Sequence, residues 1–139
     1  MRILAAFAVL TLAMPAIAAE QTDCSNASNT YEMNICADKE FAAADAELNA
    51  VYKVALAAIA NSDGEKPYDR KSWEAALRAS QRAWVAFRDA DCKGLVPMEW
   101  SGGTGTTTAV LGCMIQLTQE RTKMLKERFA AEEGPAKVP

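Results

Sequence analysis

Apolar residues recur along this chain at the three- and four-residue spacing of amphipathic helices, in three separate segments. The first segment begins near Asn29, a favourable N-cap, and Glu32 three residues later completes a capping box. Its apolar stripe comprises Phe41, Leu48, Tyr52, Ala55 and Ile59. The helix is predicted to end at the turn-rich stretch NSDGEKPYD, which contains a glycine and a proline.

The second helix is predicted from about Asp69 to Asp91, and the third begins near Thr107. The stripe of the second carries Trp73, Leu77, Trp84 and Phe87, and that of the third carries Val110, Met114, Leu117, Arg121, Leu125 and Arg128. Residues 93–108, KGLVPMEWSGGTGTTT, form the only long irregular stretch between helices. Strand signals are weak throughout, so we predict an all-α fold, a three-helix antiparallel bundle with one long loop between helices two and three.

Polar side chains interrupt the apolar stripes of the first two helices. At 100° per residue, Gln81 and Arg88 share an arc with Trp84. An antiparallel turn about residues 64–66 places residues whose numbers sum to roughly 130 opposite each other. We therefore predict a structural polar network that pairs Asp45 with Arg88 and Asn49 with Gln81.

Arg88 is the critical member of this network, because a buried guanidinium without a partner is very costly. Asp45 is its predicted partner, and Asp89 or Asp91 nearby are the alternatives. An Arg88 that faces a ligand, or one that is exposed, remains possible from the sequence. The structural role is the favoured interpretation.

The first 18 residues have the layout of a secretory signal peptide: Arg2, about a dozen apolar residues and the small-residue triplet Ala-Ile-Ala. The alternative is a short buried N-terminal helix. Cleavage is predicted after Ala18, or else after Ala19, and no cysteine follows directly that would carry a lipid anchor. We expect a signal peptide at 1–18, an N-terminal arm at 19–28, a helical domain at 29–130 and a flexible tail at 131–139. A periplasmic or secreted location follows.

The four cysteines all lie beyond the predicted cleavage site, and an even count in an exported chain predicts two disulfides that brace the bundle. Three pairings are possible and the sequence does not choose among them. A metal site is the alternative, but the chain has no histidine and no CxxC pair. No metal or cofactor is expected. The cysteines are Cys24, Cys36, Cys92 and Cys113.

The formal net charge of −3, or −4 once Arg2 is removed, argues against nucleic-acid binding and is compatible with a basic partner. The absence of histidine excludes Ser-His and Cys-His nucleophiles. A carboxylate pair such as Asp45 with Asp91 is the remaining route to a small hydrolase, and pairing with Arg88 disfavours it by keeping those groups ionised. We therefore do not expect an enzyme.

The loop between helices two and three is the candidate partner-binding surface. An exposed aromatic or basic anchor on a braced loop can bind a protein cleft without doing chemistry. The alternative is that Trp100 covers the end of the bundle and that Thr106 to Thr108 cap helix three. The proposed binding residues are Lys93, Met98, Trp100, Ser101, Gly102, Gly103 and Thr104.

The strings EMNICADKEFAAADAELNAVY and QRAWVAFRDADC, followed by Gly-Gly, a cysteine and an R…L helix, resemble the LprI-type lysozyme-inhibitor domain family. The resemblance runs from Cys24 to about Leu125. It implies a small secreted helical domain that binds a protein, and we expect an inhibitor that blocks the cleft of a lysozyme-type hydrolase. An envelope accessory module without a hydrolase target is the alternative. One departure is Thr104, where the family pattern has Ser after Gly-Gly, and the extra methyl bears on whether the loop enters a tight cleft. The matching positions are Met33, Asn34, Cys36, Asp45, Leu48, Asn49, Tyr52, Gln81, Trp84, Arg88, Cys92, Gly102, Gly103, Cys113, Arg121 and Leu125.

Overall fold

The computed structural model describes residues 22–129. The predicted signal peptide, the start of the N-terminal arm and the predicted tail at 131–139 lie outside the described residues. Within 22–129 there is no strand, which confirms the all-α prediction. The helices are α1 (Thr30–Ala60), α2 (Arg70–Ala90), α3 (Val96–Glu99) and α4 (Thr106–Phe129), and a π-helical turn (Asp91–Leu95) joins α2 to α3.

Helix α1 starts with the predicted capping interactions. The Asn29 side chain accepts a hydrogen bond of 3.0 Å from the backbone N–H of Glu32. The Glu32 carboxylate accepts in turn from the backbone N–H of Ser28 at 2.9 Å, one residue earlier than a standard capping box. That backbone bond lowers the pKa of Glu32 below its usual value. No glycine or proline interrupts the 31 residues that follow, so the helix continues to Ala60.

The connection from α1 to α2 depends on Gly64. A Cβ at this position would lie 2.5 Å from the carbonyl oxygen of Tyr68, so only glycine fits without a shift of the backbone. Asp69 then caps α2 by accepting from the N–H of Ser72 at 2.9 Å. Arg70 donates to the carbonyl of Ala60 at 3.1 Å, which satisfies one orphan acceptor at the end of α1.

The three long helices form an up-down-up bundle in which α1 and α4 are parallel and share the largest interface, with α2 antiparallel to both. The apolar core lies toward the α1–α2 turn. Phe129 belongs to this core although the predicted stripe did not include it. Trp73 and Phe87, predicted on the stripe of α2, are 45% and 56% exposed. The core consists of Leu48, Ala55, Ile59, Leu77, Leu125 and Phe129.

The segment after α2 is more helical than the sequence predicts. Pro97 has no N–H to continue the α-helical bonding, so a regular helix is expected to stop before it. Instead one turn of the helix takes in an extra residue, so that the N–H of Val96 bonds to the carbonyl of Asp91, five residues earlier. A short helix then resumes with Pro97 in its first turn. The irregular part of the predicted loop is thereby reduced to residues 100–105.

Two disulfides brace the end of the bundle where this segment lies. Cys24 is joined to Cys36, which fastens the N-terminal arm to α1, and Cys92 is joined to Cys113, which fastens the π turn to α4. Cys92 is completely buried. The two predicted disulfides are confirmed and their pairing, open from the sequence, is resolved. Between residues 22 and 129 no helix is long and apolar enough to span a bilayer.

Candidate functional site

Arg88 lies inside the bundle, with 8% of its side chain exposed. Its Nη1 donates to Asp45 Oδ1 at 3.3 Å and to Thr118 Oγ1 at 3.1 Å, and its Nε donates to Asp89 Oδ1 at 3.2 Å. The guanidinium thus connects all three long helices. The contact with Asp45 agrees with the antiparallel register predicted from the sequence, and Asp89, one of the alternatives, contributes as well.

Trp84 lies between two buried guanidinium groups. The Cζ of Arg88 is 5.0 Å from the Trp84 ring centroid and that of Arg121 is 5.9 Å away, both within the range of a cation–π interaction. Arg88 also lies 5.4 Å from the ring of Phe41. These aromatic faces replace part of the hydration that the two cations lose on burial.

Arg121 is 5% exposed, and its hydrogen-bond partners are neutral. It donates to Gln81 Oε1 and to Ser80 Oγ, both at 3.0 Å. Burial lowers the pKa of Arg121 from its ordinary value, and the charge of Arg128 lowers it further. A second buried arginine that joins α4 to α2 was not anticipated, although its place on the predicted stripe of helix three was a signal.

The predicted pairing of Asn49 with Gln81 is not formed. Asn49 is exposed and its Nδ2 donates to the side chain and the carbonyl of Asp45, four residues earlier on α1. Gln81 instead accepts from Arg121. A charged donor is a stronger partner for a part-buried amide oxygen than a second amide, which explains the preference.

A concave surface of about 380 Å³ opens at the end of the bundle opposite the α1–α2 turn. It lies between the start of α1, the 100–105 loop and the start of α4, and we call it the loop-end groove. Its lining is mostly apolar, with hydroxyl groups from three threonines. The lining residues are Thr30, Met33, Trp100, Thr104, Gly105, Thr108 and Ala109.

Trp100 is held in this groove with about half of its surface exposed. One edge of the indole packs on Gly105, where an added Cβ would lie 2.5 Å from Trp100 Cζ3. The tryptophan therefore both packs on its own loop and presents a face to solvent. Met98, on α3 just before it, is 75% exposed.

The turn after Trp100 has left-handed backbone at Ser101 (φ 50°) and Gly102 (φ 67°). The N–H of Gly102 bonds to the carbonyl of Pro97, and the N–H of Gly103 bonds back to the carbonyl of Trp100 at 3.0 Å. This is a Schellman helix end with Ser101, not glycine, at the left-handed position after the C-cap, followed at once by a tight turn. The predicted loop residues thus form an ordered turn.

The threonines at the start of α4 tie the groove to α1. Thr108 Oγ1 donates to Asn34 Oδ1 at 2.6 Å, which fixes the N-termini of α4 and α1 together. The Thr106 hydroxyl is buried and has no hydrogen-bond partner among the described residues. Thr108 therefore joins two helices, and Thr106 forms no side-chain cap among the described residues.

Lys93 and the groove are separate features. Lys93 lies on the π turn and its Nζ contacts Asp89 Oδ2 at 2.9 Å. That bond, followed by the interaction with Arg88, holds the pKa of Asp89 below its usual range. Lys93 does not line the groove. Of the seven predicted binding residues, only Trp100 and Thr104 line it, while the α1 and α4 members were not foreseen.

Asp91 lies beside the sulfurs of Cys92 and Cys113, an arrangement that with free thiolates would offer three ligand atoms to a metal. Both sulfurs are bonded to each other in the disulfide and are therefore not thiolates. This cluster braces the structure at the base of the loop.

The chain is similar to known proteins over most of its length. The family model described as Lysozyme inhibitor LprI matches residues 22–125. A protein of Rhizobium meliloti (strain 1021), described as Uncharacterized protein R02472, is 38% identical over 117 residues, which are 82% of this chain and 84% of that protein. No solved structure matches the chain. The family match includes both disulfides, the two buried arginines and the loop-end groove, and the chain belongs to the LprI family.

Proposed function

We propose that this protein is a secreted or periplasmic inhibitor of lysozyme-type cell-wall hydrolases, and that it blocks the substrate cleft of its partner with the exposed side chains of Trp100, in the loop-end groove, and of the adjoining Met98. The description of the family supports an inhibitor. The observation that carries the choice of surface is Trp100, a half-exposed aromatic side chain on an ordered turn at the tip of the bundle. Aromatic side chains that become buried when two proteins bind contribute most of the affinity of many interfaces.

The scaffold behind this surface favours tight binding. A flexible loop loses conformational entropy when it docks, and that loss reduces the affinity. Here the Cys92–Cys113 disulfide joins the two sides of the loop, and the bond from Thr108 to Asn34 fixes α4 against α1. The loop-end groove is therefore held in place before binding.

The chemistry of the chain favours blockage of another enzyme over hydrolysis by this protein. Glycosidases need a carboxylic acid with a raised pKa beside a second carboxylate. Asp45 is occupied by structural contacts, an ion pair with Arg88 at 3.3 Å and a hydrogen bond from Asn49. The sequence has no histidine, and all four cysteines are in disulfides.

The proposed location is supported by two features of the chain. The N-terminal sequence has the layout of a signal peptide, and disulfides persist in oxidising compartments. Lysozyme-type enzymes act on the cell wall, so an exported inhibitor would meet them there.

The function is tested by lysis of purified cell walls with a panel of purified lysozymes, in the presence of the chain without residues 1–18. We expect inhibition of at least one lysozyme, and a roughly 30-fold loss of affinity in Trp100→Ala, since central aromatic anchors contribute about 2 kcal/mol or more. Tyr68→Ala, which removes an exposed aromatic ring near the α1–α2 turn, is the matched control and should leave inhibition unchanged. No inhibition by the unmodified chain at large molar excess would contradict the proposal.

A second pair of variants tests the position of the indole without removing it. Gly105→Ala places a methyl group where the Trp100 ring lies and should displace the ring, with a loss of inhibition and a change in tryptophan fluorescence. Gly94→Ala, with no atom within 4 Å of the new methyl, is the control. Full inhibition by Gly105→Ala with a displaced ring would show that Trp100 is not the anchor.

A further inference from the structure

Charge is segregated between the two ends of the bundle. A plane across the middle of the helices separates two halves of the described chain. The groove half comprises residues 22–45 and 85–117, and the far half comprises residues 46–84 and 118–129. The groove half carries eight carboxylates and three cationic side chains, a formal charge of −5. The far half carries seven carboxylates and ten cationic side chains, a formal charge of +3. The overall charge is small because the two ends of the bundle carry net charges of opposite sign.

Internal ion pairs do not remove this difference. In the groove half, Arg88 and Lys93 are paired with Asp45 and Asp89, so two cations and two carboxylates cancel. Lys39 is then the one cation of that half outside an ion pair, among the described residues. Six carboxylates remain against it: Asp23, Glu32, Asp38, Glu40, Asp91 and Glu99.

Two of these carboxylates lie on the elements that line the groove or next to them in the chain. Glu99 is exposed and precedes Trp100 in the chain. Glu40 is exposed and follows Met33 by seven residues on α1, so it lies on the same helix face about 10 Å along the axis. The apolar, aromatic groove therefore lies at an acidic end of the bundle.

We propose that the partner of the loop-end groove is a protein whose cleft is surrounded by positive charge, so that the negative end of this bundle steers the encounter. This inference rests on the proposed function and specifies which hydrolases it concerns: strongly basic ones. Complementary charge accelerates association, and its effect falls with ionic strength. The far half, with the opposite sign, would repel such a partner and so orients the docking end-on.

This charge arrangement leaves Lys93, predicted as a binding residue of the loop, without a direct role in the cleft. A cation that entered the cleft to meet the carboxylates of the hydrolase would have to be unpaired, and Lys93 is engaged by Asp89. The groove offers an indole and neutral hydroxyl groups instead, and the exposed carboxylates lie outside its lining. We therefore assign the long-range attraction to the charged surfaces around the two binding sites. Blockage of the partner's cleft is assigned to the apolar side chains of the groove.

The test measures association and dissociation rates of the mature chain with a strongly basic lysozyme and with an acidic lysozyme. With the basic enzyme we expect the association rate to fall at least tenfold between about 20 mM and 500 mM salt, as the Debye length shrinks to a few ångströms. The double variant Glu40→Lys/Glu99→Lys should associate about tenfold more slowly and dissociate within about twofold of the unmodified chain.

The matched control is Asp63→Lys/Glu65→Lys, which makes the same change in net charge at exposed positions near the other end of α1, some 45 Å from the groove. It should change the association rate by less than about twofold at moderate salt. Equal association with the acidic lysozyme, or rates insensitive to salt and to Glu40→Lys/Glu99→Lys, would overturn the charge inference while the proposed function stands. Binding to no lysozyme at all would overturn both.

Discussion

Replacement of Arg88 by methionine tests how the buried charge in this bundle is stabilised. Methionine keeps a long apolar stem but removes the guanidinium, which is 8% exposed and contacts all three long helices. Asp45 and Asp89, its carboxylate partners, retain 41% and 38% exposure of their side chains. Water can therefore solvate both carboxylates once the cation is gone.

The expected loss of unfolding free energy follows from the contacts that each partner of Arg88 loses. Thr118 is completely buried, and loss of its donor leaves a buried acceptor unsatisfied, which costs about 1–3 kcal/mol. The cation–π contacts with Trp84 and Phe41 together contribute about 1 kcal/mol or more. The half-exposed ion pairs contribute less than about 1 kcal/mol. We expect Arg88→Met to cost about 3–4 kcal/mol in the free energy of unfolding.

The assay is urea unfolding of the disulfide-intact protein, followed by far-UV circular dichroism. With a urea dependence of about 1–3 kcal/mol per molar, the midpoint of Arg88→Met should fall by roughly 1–4 M. Asp45→Asn, which keeps the shape of the side chain and removes one carboxylate, should cost under about 1 kcal/mol. If Asp45→Asn destabilises as much as Arg88→Met, the ion pair dominates and this reasoning is refuted.

Three further predictions concern stability. Gly112→Ala lies at an exposed position of α4 with nothing within 4 Å of the new methyl, and should raise the unfolding free energy by about 0.5–1 kcal/mol in the same urea titration. Asp89, whose pKa is lowered first by Lys93 and then by Arg88, contributes stability above the ordinary Asp pKa of about 3.9 and loses it as the pH falls through the lowered value. The gap in unfolding midpoint between the unmodified chain and Asp89→Asn should therefore be present at pH 7 and close in acid below about pH 4; a constant gap would contradict this. Replacement of Cys92 and Cys113 by alanine should cost about 3 kcal/mol and also weaken inhibition, because that disulfide braces the loop, whereas replacement of Cys24 and Cys36 by serine should reduce stability with little effect on inhibition.

The helices were predictable because their signals are local. The Asn29 cap, the apolar periodicity of α1 and the turn at Gly64 each act over a few residues. The contact between Arg88 and Asp45 then followed from an antiparallel register and the cost of an unpaired buried charge.

Features that depend on the third helix were not predictable in the same way. Nothing in the sequence specifies how α4 rotates against α2, so the bond from Arg121 to Gln81 was missed and Gln81 was assigned to Asn49. The groove was missed for a related reason. Met33 and Trp100 lie far apart in the chain, and only the bundle brings them together.

The prediction of an irregular loop around Pro97 was wrong for a different reason. A proline that follows a helical run usually marks its end. The π turn accommodates Pro97 by a shift of one residue in the hydrogen-bond register. Cys92 in this turn is bonded to Cys113 on α4, a tertiary contact that local sequence signals do not specify.

Hydrogen–deuterium exchange on the complex with an inhibited basic lysozyme tests most directly where this bundle is recognised. We predict new protection confined to residues 30–34 and 98–109, which contain the loop-end groove, with unchanged exchange near Tyr68 and Trp73. Protection centred on Tyr68 and Trp73, with residues 98–109 unaffected, would contradict the assignment of binding to the acidic, disulfide-braced end.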